Sequence, residues 1–243
     1  MIRYFIFPKH KTRRYNLTKS QKTSPPKNID ILLRHCRIRT YKAKSIIIHF
    51  GDYSSSLFYI VSGSVAAIGE DSDGKEITLA YLNAGDFVGE MGLFEQSSRS
   101  ARIRAKTKCE LAEISYRKFF SLSVKYPELI YTVARQISLR LANTSRKACD
   151  LAFLGVKERI ASALVDLCHE PDAQKKKKCT HIRITRLELA KLVGCSREMV
   201  GRILKDLQSK RLITLSGKTI MVLDDNQQKL LTTPQIIFDQ KKV

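Results

Sequence analysis

Residues 185–205 read TRLELAKLVGCSREMVGRILK, and they decide how the C-terminal part of the chain folds. Thr185 and Glu188 form a capping box: the threonine hydroxyl accepts from the backbone amide three residues on, and the glutamate reaches back to the amide of Thr185. A helix therefore starts here, carries Leu189, Ala190, Leu192 and Val193, stops at Gly194 and restarts after Ser196, which can cap the next helix. Two short helices joined by Gly194-Cys195-Ser196 make a helix-turn-helix. In the second helix Val200, Ile203, Leu204 and Leu207 face inward, leaving Arg197, Glu198, Gly201, Arg202 and Lys205 outside. An arginine fork matches guanine O6 and N7, and a glutamate can accept from cytosine N4, so this face suits a DNA major groove. A carboxylate costs affinity near phosphates, so Glu198 among arginines favours base reading over general charge attraction. A solvated helix face with an ordinary mix of charges is the alternative. Downstream, residues 212–215 and 219–223 flank Ser216-Gly217-Lys218, a β-hairpin wing with Lys218 at its tip.

The charge of the whole chain agrees with an anionic partner. Its 243 residues carry a formal net charge of +21, and residues 157–218 alone hold fifteen basic side chains against seven acidic. That is one basic module rather than a uniformly basic surface. No run approaches the roughly twenty apolar residues of a membrane span. Residues 1–27 contain Arg3, Lys9, Lys11, Arg13, Arg14, Lys19, Lys22 and Lys27 with no acid, and residues 4–7 are too short for a signal-peptide core. They read as a disordered basic arm, with an early start site or a solvated tail without function as alternatives. The six cysteines, at 36, 109, 149, 168, 179 and 195, form no C-x-x-C pair, and the five histidines are scattered. The reading is a soluble cytoplasmic protein with reduced thiols and no metal site.

Residues 46–50, 57–61, 65–68 and 77–82 are short β-rich runs divided by turn signals at Gly51-Asp52, Ser62-Gly63, 71–74 and 83–86. Such spacing predicts an antiparallel all-β unit extending to Ile114, and strands this short bury their apolar faces best as a double-sheet roll. From Pro127 the period changes: Leu129, Ile130, Val133, Ile137 and Leu141 recur at helical steps, with no Gly or Pro until Gly155. This long helix either forms a seam with a second copy or packs on its own roll. Residues 151–156 are an apolar hinge, a further helix follows to Cys168, and the four lysines 175–178 read as a solvated loop.

Within the β unit, residues 85–91, GDFVGEM, are followed by Arg99-Ser100-Ala101. Small residues beside fixed charges suggest an anion cradle. Backbone amides at Gly89 and Glu90 can receive a phosphate oxygen, Arg99 can neutralise it with two parallel hydrogen bonds, and Glu90 can accept from a ribose hydroxyl. The plainer alternative is an Arg99–Glu90 ion pair on the roll surface. No paired metal ligands and no nucleophile–base motif accompany the cradle, which argues against the rival reading of an enzyme of cyclic-nucleotide turnover, a reading that a phosphodiesterase assay tests.

These segments, together with residues 58–65 (FYIVSGSV), Gly74-Lys75-Glu76, Tyr81-Leu82-Asn83, 85–94, Leu151-Ala152-Phe153-Leu154, 193–198 and 201–205, closely resemble the Crp/Fnr family of transcription regulators. The resemblance runs in order from about residue 29 to 223. It implies an α+β fold: a basic arm (1–27), a jelly-roll cyclic-nucleotide-binding β-roll (28–126), a long dimerisation helix (127–150), a hinge (151–156), a winged helix-turn-helix (157–225) and a tail (226–243). It implies that Gly89, Glu90, Arg99 and Ser100 hold the ribose and phosphate of cyclic AMP, with Met91 beside them, and that Gly74, Leu79 and Ala80 line the pocket. Thr144 and Ser145 meet adenine N6, one of them from the partner chain, and Arg140 faces the same pocket. Arg197, Glu198 and Arg202 read bases, while Thr185, Ser196, Lys205 and the wing Lys218 contact or approach phosphates. The implied assembly is a homodimer on double-stranded operator DNA with two half-sites, touching RNA polymerase. Cyclic GMP, a cyclic dinucleotide or no effector at all are the alternatives.

The sequence departs from the family pattern in places. The loop between Phe94 and Arg99 is one residue short. Leu187 replaces a glutamine that helps form a second nucleotide site. Lysines 175–178 replace a polymerase-contacting surface, while Arg37, Arg39 and Lys118 keep positive charge at another.

Overall fold

The computed structural model describes residues 29–94, 98–176, 178–224, 227 and 230. The basic arm, most of the tail, most of the loop after Phe94, and Lys177 lie outside the described residues.

After a short helix α1 (Ile29–Arg34), eight strands make two antiparallel sheets. The first runs β1 (Arg37–Tyr41), β8 (Cys109–Ser115), β3 (Ser56–Ser62), β6 (Phe87–Val88). The second runs β2 (Ile46–Ile48), β7 (Arg102–Ala105), β4 (Ser64–Glu70), β5 (Glu76–Asn83). The unbroken apolar run of β3 has a direct cause, since successive side chains alternate faces and both faces are covered. Phe58 and Ile60 pack between the sheets with Val65, Leu82, Val88, Ile103 and Leu111. Leu57 and Tyr59 point the other way, onto Phe119 of α2 (Tyr116–Lys125) and Leu129 and Val133 of α3 (Glu128–Phe153). Each fully buried side chain of this kind contributes about 1.5–3 kcal/mol.

The first part of the α3 stripe packs on its own roll and the later part does not. Leu129 and Val133 are fully buried on the roll and Ile137 packs beside them, whereas Leu141 is 66% exposed, as is most of the surface around it. Leu151, Ala152 and Phe153, assigned above to the hinge, belong to α3, because no residue before Leu154 breaks the helix. The connection shrinks to Leu154 and Gly155, and α4 (Val156–Leu167) follows. Arg146 of α3 reaches across this corner to Asp166 of α4 at 2.8 Å.

The C-terminal unit holds α4, α5 (Arg186–Val193), α6 (Arg197–Ser209) and a sheet ordered β11 (Ile213–Ser216), β12 (Thr219–Leu223), β10 (Cys179–Arg183), β9 (Gln174–Lys176). Lys175 and Lys176 are therefore an edge strand rather than loop: alternate ladder partners on β10 hold them while their side chains stay exposed. Ile160, Leu164, Leu189, Val200, Leu204, Leu207 and Val222 form the core.

This unit docks on β5, the outer strand of its sheet. Tyr81 packs against the helix-turn-helix core with the Lys106 ammonium 4.2 Å above its ring. Lys106 also pairs with Asp172 at 2.8 Å, and the Asn83 amide donates to Glu170 at 3.0 Å. Glu76 takes Lys191 of α5 at 2.6 Å as well as Arg102 and Arg104 of β7. Lys191 first, through its hydrogen bond, and then Arg104 hold the Glu76 carboxyl below its ordinary range against the opposing effect of burial.

Candidate functional site

The cradle is a turn followed by a single-stretch 3-10 helix, Glu90–Phe94. Gly89 has φ +82°, and a Cβ there would stand 2.3 Å from Arg99 Nη1, so only glycine lets the chain turn this close to the guanidinium. Arg99 itself is 7% exposed. Its Nη1 donates to the Gly89 carbonyl (3.2 Å) and the Tyr116 phenol (3.0 Å), its Nη2 to the carbonyl (2.8 Å) and hydroxyl (3.3 Å) of Ser56. The Arg99–Glu90 ion pair is not formed. Glu90 pairs instead with Arg140 Nη1 at 2.7 Å, and Arg140 Nη2 donates to the Phe87 carbonyl. Among the described residues no carboxylate lies within ion-pair distance of Arg99. A buried cation served only by neutral acceptors has its hydrogen bonds met but its charge uncompensated.

Gly89, Glu90, Arg99 and Arg140 are thus joined by direct bonds. Thr144 and Ser145 lie one turn beyond Arg140 on α3, and both are exposed. Ser100 is exposed and Met91 is 45% exposed at the rim. Gly74 (φ +75°) closes the β4–β5 turn, where Asp71 accepts from the amides of Asp73 and Lys75. Ala80 is half-buried, and Leu79 is the extra residue of a bulge, between Ala67↔Ala80 and Ile68↔Thr78. Its carbonyl receives Lys147 Nζ of α3 at 2.8 Å.

On the other unit, Thr185 Oγ1 accepts from the Glu188 amide (3.1 Å) and Glu188 accepts from the Thr185 amide (2.8 Å), closing the capping box. Gly194 turns in the left-handed region (φ +71°, ψ +53°), and Ser196 accepts from the Met199 amide at 3.2 Å. Arg197, Glu198, Arg202 and Lys205 are exposed together on α6. Gly201 is not outside with them: it is buried, with the Arg186 guanidinium 3.7 Å from the place a Cβ would take. These six residues line one shallow concavity, with Gly201 contributing backbone only. Glu198 is held below its ordinary range by its own amide and the Ser196 hydroxyl, the expected behaviour of an acid in a helix first turn. Lys218 sits exposed in the β11–β12 turn.

Several functional neighbours escape sequence reasoning. Gln136 of α3 clamps the turn before β6, accepting from the Phe87 amide (2.8 Å) and donating to the Gly85 carbonyl (2.9 Å). Tyr116 reaches the cradle from α2, and nothing in its local sequence announces that. Arg186 was findable only as a basic residue in the first turn after a capping threonine; its place beside Gly201 and the α6 arginines comes from the packing of α5 on α6.

The comparisons with known proteins agree with this architecture. Residues 38–126 match the family model described as the cyclic nucleotide-binding domain, and residues 158–227 match the Crp-like helix-turn-helix domain. The chain is 51% identical over 200 residues to the cAMP-activated global transcriptional regulator Vfr of Pseudomonas aeruginosa, covering 81% of this chain and 94% of that one. It is 50% identical to the cAMP-activated global transcriptional regulator CRP of Salmonella typhimurium, over 80% of this chain and 93% of that one. Among solved structures, the c-di-GMP responsive global regulator CLP of Xanthomonas campestris superposes with a TM-score of 0.75 at 45% identity, covering 80% and 97%. The chain belongs to the CRP/FNR family of transcriptional regulators. Its function is regulatory rather than enzymatic. Among the described residues no helix is long and apolar enough to cross a membrane, and no group of His, Cys, Asp and Glu is placed to hold a metal.

Proposed function

We propose that the protein is a cyclic-AMP-dependent, sequence-specific transcription regulator that binds a palindromic operator as a homodimer in the cytoplasm. The observation that carries the reading is Arg99, a buried guanidinium without a carboxylate partner among the described residues, beside Glu90 and Gly89. A monoanionic cyclic phosphodiester supplies the missing charge, and Glu90 keeps an oxygen free to accept from the ribose. Thr144 and Ser145, exposed on α3, would close on the base, one from each chain. The exposed Leu141 and Tyr131 of α3 support a seam with a second copy. On DNA, Arg197, Glu198 and Arg202 read base edges, while Thr185, Ser196, Lys205 and Lys218 serve the phosphates. Thr185 and Ser196 do so while capping helices, which presents the helix N-termini to the backbone. RNA polymerase contact would fall on the basic surface of Arg37, Arg39 and Lys118.

Ligand binding shifts the population toward the arrangement that fits DNA, so the nucleotide must prefer that arrangement. The test is operator binding by the full chain with and without cyclic AMP; equal affinity in both removes the switch. A cyclic dinucleotide is the second reading, favoured by the 45% identity to a regulator described as c-di-GMP responsive. Calorimetry with cyclic AMP, cyclic GMP and c-di-GMP separates the ligands.

A further inference from the structure

Arg99 carries four Nη hydrogens, and the structure gives each a protein acceptor: Gly89 and Tyr116 for Nη1, the carbonyl and hydroxyl of Ser56 for Nη2. Only Nε is left. A two-pronged grip on a phosphate uses two neighbouring N–H groups, so the ligand must displace at least one of the acceptors already in place.

Tyr116 is the joint of this arrangement. Its hydroxyl donates to the Gly89 carbonyl at 2.6 Å, accepts from Arg99 at 3.0 Å and meets the Ser54 hydroxyl at 2.7 Å. The phenol is aimed by its place at the first turn of α2, behind the Ser115 cap, and by Gly92, where a Cβ would stand 2.5 Å from its oxygen. The Phe58 ring, 5.8 Å from the guanidinium carbon, walls the other side. Arg99 is therefore turned into the protein and held there by neutral groups.

We propose that Tyr116 is a positioning residue that holds Arg99 in this inward state, so that phosphate is gripped by exchange of acceptors and the phenol sets the affinity. The inference rests on the cyclic-nucleotide reading and names a residue that tunes it. Removing the hydroxyl weakens the waiting state more than the bound one, in which the anion replaces the phenol. Affinity rises.

The experiment is calorimetric titration of cyclic AMP into the full chain as wild type, Tyr116→Phe, Ser54→Ala, Arg99→Gln and the Arg99→Gln/Tyr116→Phe double variant. Tyr116→Phe is expected to tighten binding by about three- to tenfold, the worth of one hydrogen bond to a charged group after partial compensation. Ser54→Ala leaves the ring in place and should tighten binding in the same direction by a smaller factor. In the Arg99→Gln background the Tyr116 substitution should change nothing, since a phenol acting through Arg99 has no charge left to hold. Unchanged or weaker binding by Tyr116→Phe, or equal effects in both backgrounds, overturns the proposal. A wild type that ignores cyclic AMP counts against the proposed ligand. The holding of Arg99 is then read from hydrogen exchange of its Nη protons by NMR, slow in wild type and faster in Tyr116→Phe; equal rates overturn it.

Discussion

The cradle and the recognition helix both depend on arginines, and the two regions keep them in opposite ways. In the roll, Arg99 is buried and engaged with Gly89, Tyr116 and Ser56, while Arg140 is spent on Glu90 and Phe87. On α6, Arg197 and Arg202 stand exposed. A pocket that receives one small anion can prepare its charge by packing, because the ligand comes to a fixed point. A surface that must slide along a polyanion before finding its site keeps its charges hydrated and mobile. The cradle therefore invests in position, and the recognition helix in reach.

The largest expected effect breaks the cradle side of this contrast. Arg99→Leu removes the charge that a phosphate needs and should cost about 3 kcal/mol of nucleotide affinity, while ligand-free binding to nonspecific DNA stays within experimental error. Calorimetry paired with a DNA mobility shift reads both. Loss of DNA binding by this variant without nucleotide would mean that Arg99 supports the fold rather than the ligand.

Arg202→Ala attacks the other side. It should cost about 1–3 kcal/mol of operator affinity and relax specificity at one base pair, whereas Lys205→Ala should weaken all sequences evenly and reduce the salt slope by about 1. Selection from a randomised operator library distinguishes the two. A retained preference in Arg202→Ala would remove it from base reading.

Thr185→Ala sharpens the comparison by testing whether the exposed side is also built on local order. Loss of the cap should cost about 1 kcal/mol of stability, seen as a lower Tm. If Thr185 touches phosphate as well, operator affinity falls by more than the stability loss explains.

The smallest effect concerns the dock between the regions. Glu76 titrates below its ordinary range because Lys191, Arg104 and their hydrogen bonds favour its charged form. A depressed acid contributes stability that is complete above its unfolded pKa, about 4.3, and is lost as pH falls through the lower folded value. Glu170, raised by burial, acts with the opposite sign, since protonation relieves it. The expected result is a shallow loss of stability below about pH 4 that Glu76→Gln flattens, measured by urea unfolding against pH.

Much of the architecture was legible because local chemistry and global fold agree. The capping box, Gly194 and Ser196 define the helix-turn-helix without tertiary help. The roll was readable from turn spacing, but β1 was not: its residues Arg37, Arg39 and Thr40 are exposed on an edge and carry no apolar alternation. Lysines 175 and 176 look like loop for the same reason, since an edge strand shows charge to solvent. At the cradle, Gly89, Glu90 and Arg99 could be picked out by type. What they bond to could not. Arg99 meets Ser56 from a strand 43 residues away, and Glu90 meets Arg140 from α3. Pairings of that range are set by the packing of sheet on helix, which no local pattern encodes.

The docking of α5 on β5 carries a consequence for the solution behaviour of the chain. An outermost strand presents backbone groups that other strands can pair with, and a covering helix is one way proteins blunt that hazard. Here the cover combines the packing of Tyr81 on the helix-turn-helix core with the ion pairs Glu76–Lys191 and Lys106–Asp172, which are only partly open to solvent and so are screened less by salt than surface pairs. A chain truncated before α4 would therefore be expected to self-associate more readily than the whole chain, because β5 would lose these neighbours.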